Sequence, residues 1–234
     1  MNEVLHRFKR IAVVPVRSGS KGVPGKNIRM LAGLPLYLHA VQQGLRTVGH
    51  VLISTDIDDI AQDRLPEGCT LCRRPAELAT DNTPMASVIA HLIKTQSLHD
   101  ATLVLLQATS PLREDADIEA AIALHAEGKH DLVMSVVERD PGVLKYGTLH
   151  GADFSALRDS AFCFRNRQTL PSVHGPNGAV YVFTAERFIE AGGFPYRRIG
   201  AVEMPVERSI DVDNEGDFRQ VEKIVIARGS MKNA

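Results

Sequence analysis

The sequence predicts an α/β domain built on a doubly wound, mostly parallel sheet. Three observations carry this. Short apolar runs recur along the chain, helical patterns of roughly 10–14 residues separate them, and the first run ends in a glycine-rich loop.

Ile11-Ala12-Val13-Val14-Pro15-Val16 reads as a buried strand, because central parallel strands are apolar on both faces. Pro35 opens a helix that runs to about Thr47. Val51 to Thr55 is a second buried strand, Asp56 to Arg64 a short helix, and Cys69 to Arg73 a short strand. Met85 to Ser97 has helical spacing at Val88, Ile89, Leu92 and Ile93. Leu103 to Leu106 is a strand, Ala116 to Glu127 a helix, and Asp131 to Val137 the next strand. From Glu138 to Asn177 no period is readable, and so long an irregular stretch is expected to be functional or to pack on a partner. Regular structure returns at Gly178 to Phe183, and a helix from Glu215 to Arg228 closes the pattern. The expectation is one domain over residues 1–234 with segment 138–177 inserted in it. Ligands of such sheets sit beyond the carboxyl ends of the strands, so the loops after Val16, Thr55, Leu106 and Val137 should share one face.

Composition narrows the function. A net charge of −1, with 44% hydrophobic and 24% charged residues, points away from nucleic-acid and membrane surfaces. The basic start is followed only by the short run Ile11–Val16, which is neither a leader nor a membrane span, so a cytoplasmic protein is expected. Cys69 and Cys72 have C-x-x-C spacing, but no second pair and no histidine at zinc-ligand distance accompany them. They read as two semi-buried thiols of a short strand.

Chemistry concentrates in the loop Arg17-Ser18-Gly19-Ser20-Lys21-Gly22-Val23-Pro24-Gly25-Lys26-Asn27. Its glycines let backbone N–H groups approach phosphate oxygens, and Arg17, Lys21 and Lys26 can neutralise a triphosphate. It is not a P-loop, since Ser20 and Asn27 stand where that motif needs Gly and Ser or Thr. It is not a dinucleotide fingerprint either, because Gly19, Gly22 and Gly25 are spaced three apart. Far along the chain, Asp211 and Asp213 stand at i and i+2, on one side of an expected strand. Two adjacent carboxylates repel unless a cation lies between them, and Mg2+ commonly takes one or two carboxylates plus substrate phosphates. Capping of the helix near Glu215 by Asp213 or Asn214 is the alternative, and it does not exclude a metal. Gln107 ends a buried strand on the ligand face, where its amide can meet a sugar hydroxyl or carboxylate. Thr109 and Ser110 read as turn residues before Pro111, and Arg113 as structural.

The first loop resembles the signature of the CMP-sialic acid synthetase (acylneuraminate cytidylyltransferase) family. Four later blocks are similar to that family in the same order. They are Arg74-Pro75-Ala76-Glu77-Leu78-Ala79-Thr80-Asp81, Leu106-Gln107-Ala108-Thr109-Ser110-Pro111-Leu112-Arg113, Pro176-Asn177-Gly178-Ala179-Val180-Tyr181, and Ile210-Asp211-Val212-Asp213. The resemblance implies a nucleotide-diphospho-sugar transferase-like fold with a dimerisation arm at 138–177. It implies transfer of CMP from CTP to the anomeric hydroxyl of an acidic nine-carbon sugar, a 3-deoxy-2-ulosonic acid, with loss of pyrophosphate. Arg17, Lys21 and Asp211 would be catalytic. Arg17, Ser20, Lys21, Lys26, Asn27, Arg74 and Thr83 would bind the nucleotide. Gln107, Arg167 and Tyr181 would hold the sugar, with Arg165 or Arg167 reaching a partner's site in a homodimer. Asp211 and Asp213 would hold Mg2+ or Mn2+. One departure stands out: many relatives have an arginine directly before Pro-Asn-Gly, and this chain has His174-Gly175 there. Two rival readings are a 3-deoxy-manno-octulosonate cytidylyltransferase and a catalytically silent nucleotide-binding protein on the same fold. Gly19-Ser20-Lys21-Gly22 fits the sialic acid branch better than the first, and Lys21, Asp211 and Asp213 together argue against the second.

Overall fold

The computed structural model describes residues 8–19 and 22–232. The elements in chain order are β1 (Arg10–Val16), β2 (Met30–Leu31), β3 (Leu34–Pro35), α1 (Leu36–Val48), β4 (Val51–Thr55), β5 (Cys69–Arg73), α2 (Met85–Thr95) and β6 (Thr102–Leu106). There follow α3 (Asp115–Ala126), β7 (Leu132–Arg139), β8 (Gly147–His150), β9 (Asp153–Ala156), β10 (Val173–Thr184), α4 (Ala185–Ala191), β11 (Ile199–Glu203) and α5 (Glu215–Lys232).

Seven strands form one sheet in the order β11-β7-β10-β6-β1-β4-β5. β10 runs antiparallel to both β6 and β7, and every other pairing in this sheet is parallel. β1, β4 and β6 are buried on both faces, as their apolar sequences require. Tyr37, Ala40 and Val41 of α1 and Ile118, Ala121 and Ile122 of α3 fill one side of the sheet. Ile89, Leu92 and Ile93 of α2 and Phe188 of α4 fill the other. Helix α5 adds a third cluster through Phe218 and Val221, which meet Leu31, Leu36, Leu112 and Val212. The doubly wound, mostly parallel sheet expected from the sequence is therefore present.

Four local expectations need correction. Asp56 to Arg64 forms no α-helix, only a single 3-10 turn at Gln62–Arg64. The Arg73 guanidinium donates to the carbonyls of Ile57 and Ile60, and Thr55 Oγ1 takes the Ile57 N–H, so these groups are lost to a helical ladder. Segment 138–177 is more regular than its sequence suggests. β7 and β10 run into it from both ends, and β8 and β9 pair there as a separate antiparallel hairpin. β11 escapes sequence reading because Ile199-Gly200-Ala201-Val202-Glu203 is short, contains a glycine and lies at the sheet edge. Finally, Asp211 and Asp213 are not on a strand; they lie in an irregular stretch between the 3-10 turn at Val206–Arg208 and α5.

Cys69 and Cys72 belong to the packing on opposite faces of β5, one in each of the two main core clusters. Burial pushes the Cys69 thiol up to about 11 and raises Cys72 as well, as expected of inert structural thiols. Among the described residues, no helix is long and apolar enough to cross a membrane.

Candidate active site

The parallel strands deliver their following loops to one edge of the sheet. There Pro15, Arg17, Gly19, Lys26, Asn27, Arg74, Met85, Gln107, Ala108, Thr109, Asp211 and Asp213 line a cavity of about 210 Å³. The segment after β1, the residue after β5, the turn after β6 and the approach to α5 meet at this point. Ser20 and Lys21 lie outside the described residues.

The loop after β1 is built on backbone contacts. Asn27 Nδ2 donates to the Arg17 carbonyl at 2.9 Å, and Ser18 binds the Asp56 carboxylate through its N–H at 2.9 Å and through its hydroxyl. Arg17 Nη1 meets Asp81 Oδ1 at 2.5 Å, which joins the first motif to the end of the Arg74–Asp81 block. Gly22 backs directly onto the metal-candidate segment: a methyl group there would lie 1.8 Å from the Asp213 carbonyl oxygen. This glycine is needed for close approach of two chain segments, a requirement separate from phosphate access.

Lys26 is 9% exposed and reaches the same segment. Its ammonium donates to the Val212 carbonyl and stands 3.3 Å from Asp213 Oδ1. Val212 is fully buried, its N–H donates to Thr109 O at 2.9 Å, and Asp211 and Asp213 flank it on the cavity wall. Burial pushes the Asp211 carboxyl above the usual carboxylate value, and Asp213 adds to the rise, while the Thr109 hydroxyl and Lys26 oppose it. The outer edge of Asp211 stays wetted, but enough protein surrounds the carboxyl to weaken its solvation. A carboxyl lifted in this way gains from a nearby cation. Among the described residues no three His, Cys, Asp or Glu side chains gather into a cage. A pair of carboxylates open to a cavity suits a hard cation that completes its shell with phosphate oxygens, so the donor set fits Mg2+.

Arg74 is 6% exposed and spends Nε and Nη2 on Ser54, at 3.1 and 2.8 Å. Burial lowers its pKa and Asp56 counters the shift; the two bonds to Ser54 hold the guanidinium at the cavity wall. Asn27 is 7% exposed, and its Oδ1 is a buried acceptor with no partner among the described residues. A buried unpaired acceptor in a cavity wall is a natural place for a ligand donor.

Gln107 is half-buried at the cavity. Its carbonyl accepts from Arg113 Nη1 at 2.9 Å, and the same Nη1 donates to Ala179 O at 2.7 Å. Arg113 is 1% exposed and desolvation lowers its pKa to about 9, so its expected structural role is that of a clamp between β6 and β10.

Four candidates lie away from the cavity lining. Thr83 bonds Thr80 at 2.7 Å and the Glu77 carbonyl at 3.3 Å in an exposed turn. Tyr181 packs on Phe194 at 6.0 Å between ring centroids; desolvation raises its pKa, with a smaller contribution from Asp211. Arg167 pairs with Asp140 at 2.5 Å on the inserted segment and is largely exposed, and Arg165 lies over the Phe162 ring. Sequence reasoning missed three supports. Thr109, read as a turn residue, bonds Asp211; Asp81 takes Arg17; and Ser54 aims Arg74. Thr109 and Ser54 stand near strand ends, and Asp81 closes the Arg74–Asp81 block; those positions are the signals available.

A family model described as cytidylyltransferase matches residues 11–198. The N-acylneuraminate cytidylyltransferase of Streptococcus agalactiae serotype III (strain NEM316) is 32% identical over 220 residues, covering 92% of this chain and 52% of that protein. The CMP-N,N'-diacetyllegionaminic acid synthase of Legionella pneumophila is 32% identical over 227 residues, covering 92% of this chain and 95% of that protein. Among solved structures, a CMP:2-keto-3-deoxy-manno-octonic acid synthetase complexed with CTP superposes with a TM-score of 0.66 at 15% identity, over 94% of this chain and 99% of that one. That likeness shows a shared nucleotide-diphospho-sugar transferase-like fold. The chain spans about half the length of the streptococcal relatives it matches.

Proposed function

Because the chain belongs to the cytidylyltransferase family, as the likeness of its motifs to CMP-sialic acid synthetases implied, we propose that it transfers CMP from CTP to a sialic-acid-like 3-deoxy-2-ulosonic acid. The anomeric hydroxyl attacks the α-phosphorus of CTP, the bond to the β-phosphate oxygen breaks, pyrophosphate leaves, and the hydroxyl proton passes to solvent water. The observation that carries this reading is the meeting of the cationic, glycine-rich loop and the Asp211–Asp213 pair in one cavity.

The side chains divide the work by position. Asn27 offers its unpaired Oδ1 to the N4 amino group of cytosine, and Arg74, which lines the same cavity, faces the nucleoside. Arg17, Lys21 and Lys26 balance triphosphate charge, Arg17 by exchanging Asp81 for phosphate. Gln107 orients the acceptor. Positioning and charge neutralisation account for most catalysis in transfers at phosphorus, so no dedicated general base is required. Asp211 and Asp213 would hold Mg2+, which would supply charge neutralisation to the phosphates. The inserted segment makes the protein a homodimer, and dependence on CTP suits a cytoplasmic location.

The fold is compatible with either acceptor, and sequence identity favours a nine-carbon acid over 3-deoxy-manno-octulosonate. The octulosonate relative shares the fold at 15% identity, whereas the legionaminic acid relative is 32% identical over nearly its whole length. A pyrophosphate-release assay with CTP and a panel of acids tests the proposal. Release with N-acetylneuraminic, legionaminic or pseudaminic acid is expected. Release with the octulosonate alone would move the chain to the other branch, and silence with every acid would leave nucleotide binding only.

A further inference from the structure

β10 does not run straight. Its pairing with β7 shifts register between Pro176 and Tyr181, and Gly178 takes a φ of 79°. At this irregularity the Asn177 side chain is buried, 7% exposed. A buried amide needs partners for both its oxygen and its nitrogen. Oδ1 accepts from Ser135 Oγ at 2.5 Å and from the Ala179 N–H at 3.2 Å, and these bonds stay within the sheet. Nδ2 leaves the sheet. It donates to Ser209 Oγ at 2.9 Å and to Met204 Sδ at 3.2 Å, both on the connection between β11 and α5.

That connection carries Asp211 and Asp213 without a strand ladder of its own. It is tied at one end by the Met204 N–H to Val136 O at 2.8 Å and at the other by the Val212 N–H to Thr109 O at 2.9 Å. Between these ties Ser209 receives Asn177 and donates to Pro205 O at 2.9 Å. Ser209 stands two residues before Asp211. On its other side, Asn177 adjoins Gly178, where a methyl group would lie 3.6 Å from Gln107 Nε2. One bulge thus bonds the carboxylate-bearing segment and lies beside the amide at the acceptor side.

We infer that Asn177 is a positioning residue that, through Ser209, fixes where Asp211 stands relative to Gln107. This rests on the cytidylyl-transfer reading and goes beyond it, because Asn177 acts through Ser209 rather than by contact with substrate. The CTP-facing residues Asn27 and Arg74 are held by Arg17 and Ser54, outside this network. Loss of the tie therefore shifts Asp211 and impairs transfer, while the nucleoside-facing contacts that carry most of the selectivity for CTP stay in place.

Ser209→Ala is the decisive variant, because it cuts the tie and leaves the sheet bonds of Asn177 in place. Its kcat should fall about fivefold or more, the effect of one ordinary hydrogen bond, with KM for CTP changed by less than about twofold. Ser209→Thr, which keeps the hydroxyl, should restore kcat. Independently of turnover, hydrogen exchange at the Val212 amide should quicken about fivefold in Ser209→Ala and return to normal in Ser209→Thr. Unchanged kcat in folded Ser209→Ala, or a fall in CTP affinity parallel to that in kcat, overturns the inference. If the unaltered chain turns over CTP with no acid, the functional reading fails instead, and Val212 exchange alone decides the tie: unchanged exchange overturns it.

Discussion

Gly22 presses against Asp213 so closely that a single added carbon would lie 1.8 Å from the Asp213 carbonyl oxygen. The loop after β1 and the segment before α5 are about 190 residues apart in sequence, yet their backbones meet here. Lys26 fastens the same junction by donating to the Val212 carbonyl. The cationic loop and the carboxylate pair thus form one unit, and a change in either displaces both.

Gly22→Ala should therefore damage the site more than its size suggests. The clashing atom is backbone, so relief requires a shift of the loop, at a stability cost of about 1–3 kcal/mol. Turnover should fall at least about tenfold, since small displacements of reacting groups are costly. Gly19→Ala is the milder comparison, because its methyl would meet the end of a side chain, Arg17 Nη1 at 3.3 Å, rather than backbone. Thermal unfolding and pyrophosphate release on both variants check this. Equal behaviour of the two would remove the special role of Gly22.

The nucleotide base gives a second prediction. Cytosine presents an amino donor where uracil presents a carbonyl, and Asn27 Oδ1 is a buried acceptor without a partner among the described residues. CTP should bind at least about tenfold tighter than UTP, about 1.4 kcal/mol by calorimetric titration. Asn27→Ala should narrow that ratio. Equal affinities for CTP and UTP in the unaltered protein would refute the assignment.

How far the sequence spoke depends on the kind of order involved. Ile11–Val16, Val51–Thr55 and Leu103–Leu106 were legible because strands buried on both faces must be apolar throughout. β11 was not, because an edge strand of five residues with burial on one side leaves little pattern. The helix expected at Asp56–Arg64 failed for a tertiary reason, since Arg73 claims carbonyls that local propensity assigns to the helix. At the site, residue types and motif order brought Arg17, Lys26, Asn27, Arg74, Gln107, Asp211 and Asp213 to one cavity. Sequence does not show the roles of Thr109, Ser54 or Ser209, because a hydroxyl acting on a neighbouring segment has no signature of its own.

The acidic pair gives a prediction with a sign. Burial raises the Asp211 carboxyl above its unfolded value. Below the ordinary carboxylate range the group is protonated in both states and costs nothing. As pH rises through the elevated value, the folded chain must ionise a poorly solvated carboxyl, and stability falls. Asp211→Asn should therefore raise the melting temperature of the ligand-free protein at pH 7 and have a smaller effect near pH 4. A loss of stability at pH 7 would show that Asp211 is better solvated than its surroundings imply.

The same substitution should cost activity. Asp211→Asn and Asp213→Asn should each reduce turnover by about 10²-fold or more, as expected when a transition-state contact of a few kcal/mol is lost. Activity of the unaltered protein should vanish with a chelator and return with Mg2+. Near-normal turnover in both variants at low magnesium would leave the pair with only a structural role at the start of α5.

The inserted segment yields the final prediction. Its hairpin and following turn leave Tyr146, Leu149, Phe154 and Leu157 more than half exposed, and Phe164 is 89% exposed. Apolar side chains gathered on one projecting segment mark an interface, and twofold pairing is the commonest closed arrangement. Arg167 belongs to this segment, pairs with Asp140 there, and does not line the cavity of its own chain. Sedimentation should give a dimer at micromolar concentration, and Leu149→Asp with Phe164→Asp should give monomers. A monomeric unaltered protein would end the interface reading. If the dimer forms, Arg167 is expected to act across it. Arg167→Ala and Asp211→Asn, each inactive alone, should then recover activity when mixed, because a hybrid dimer holds one site with both residues intact. The absence of recovery, with subunit exchange demonstrated, would place Arg167 in the service of its own chain.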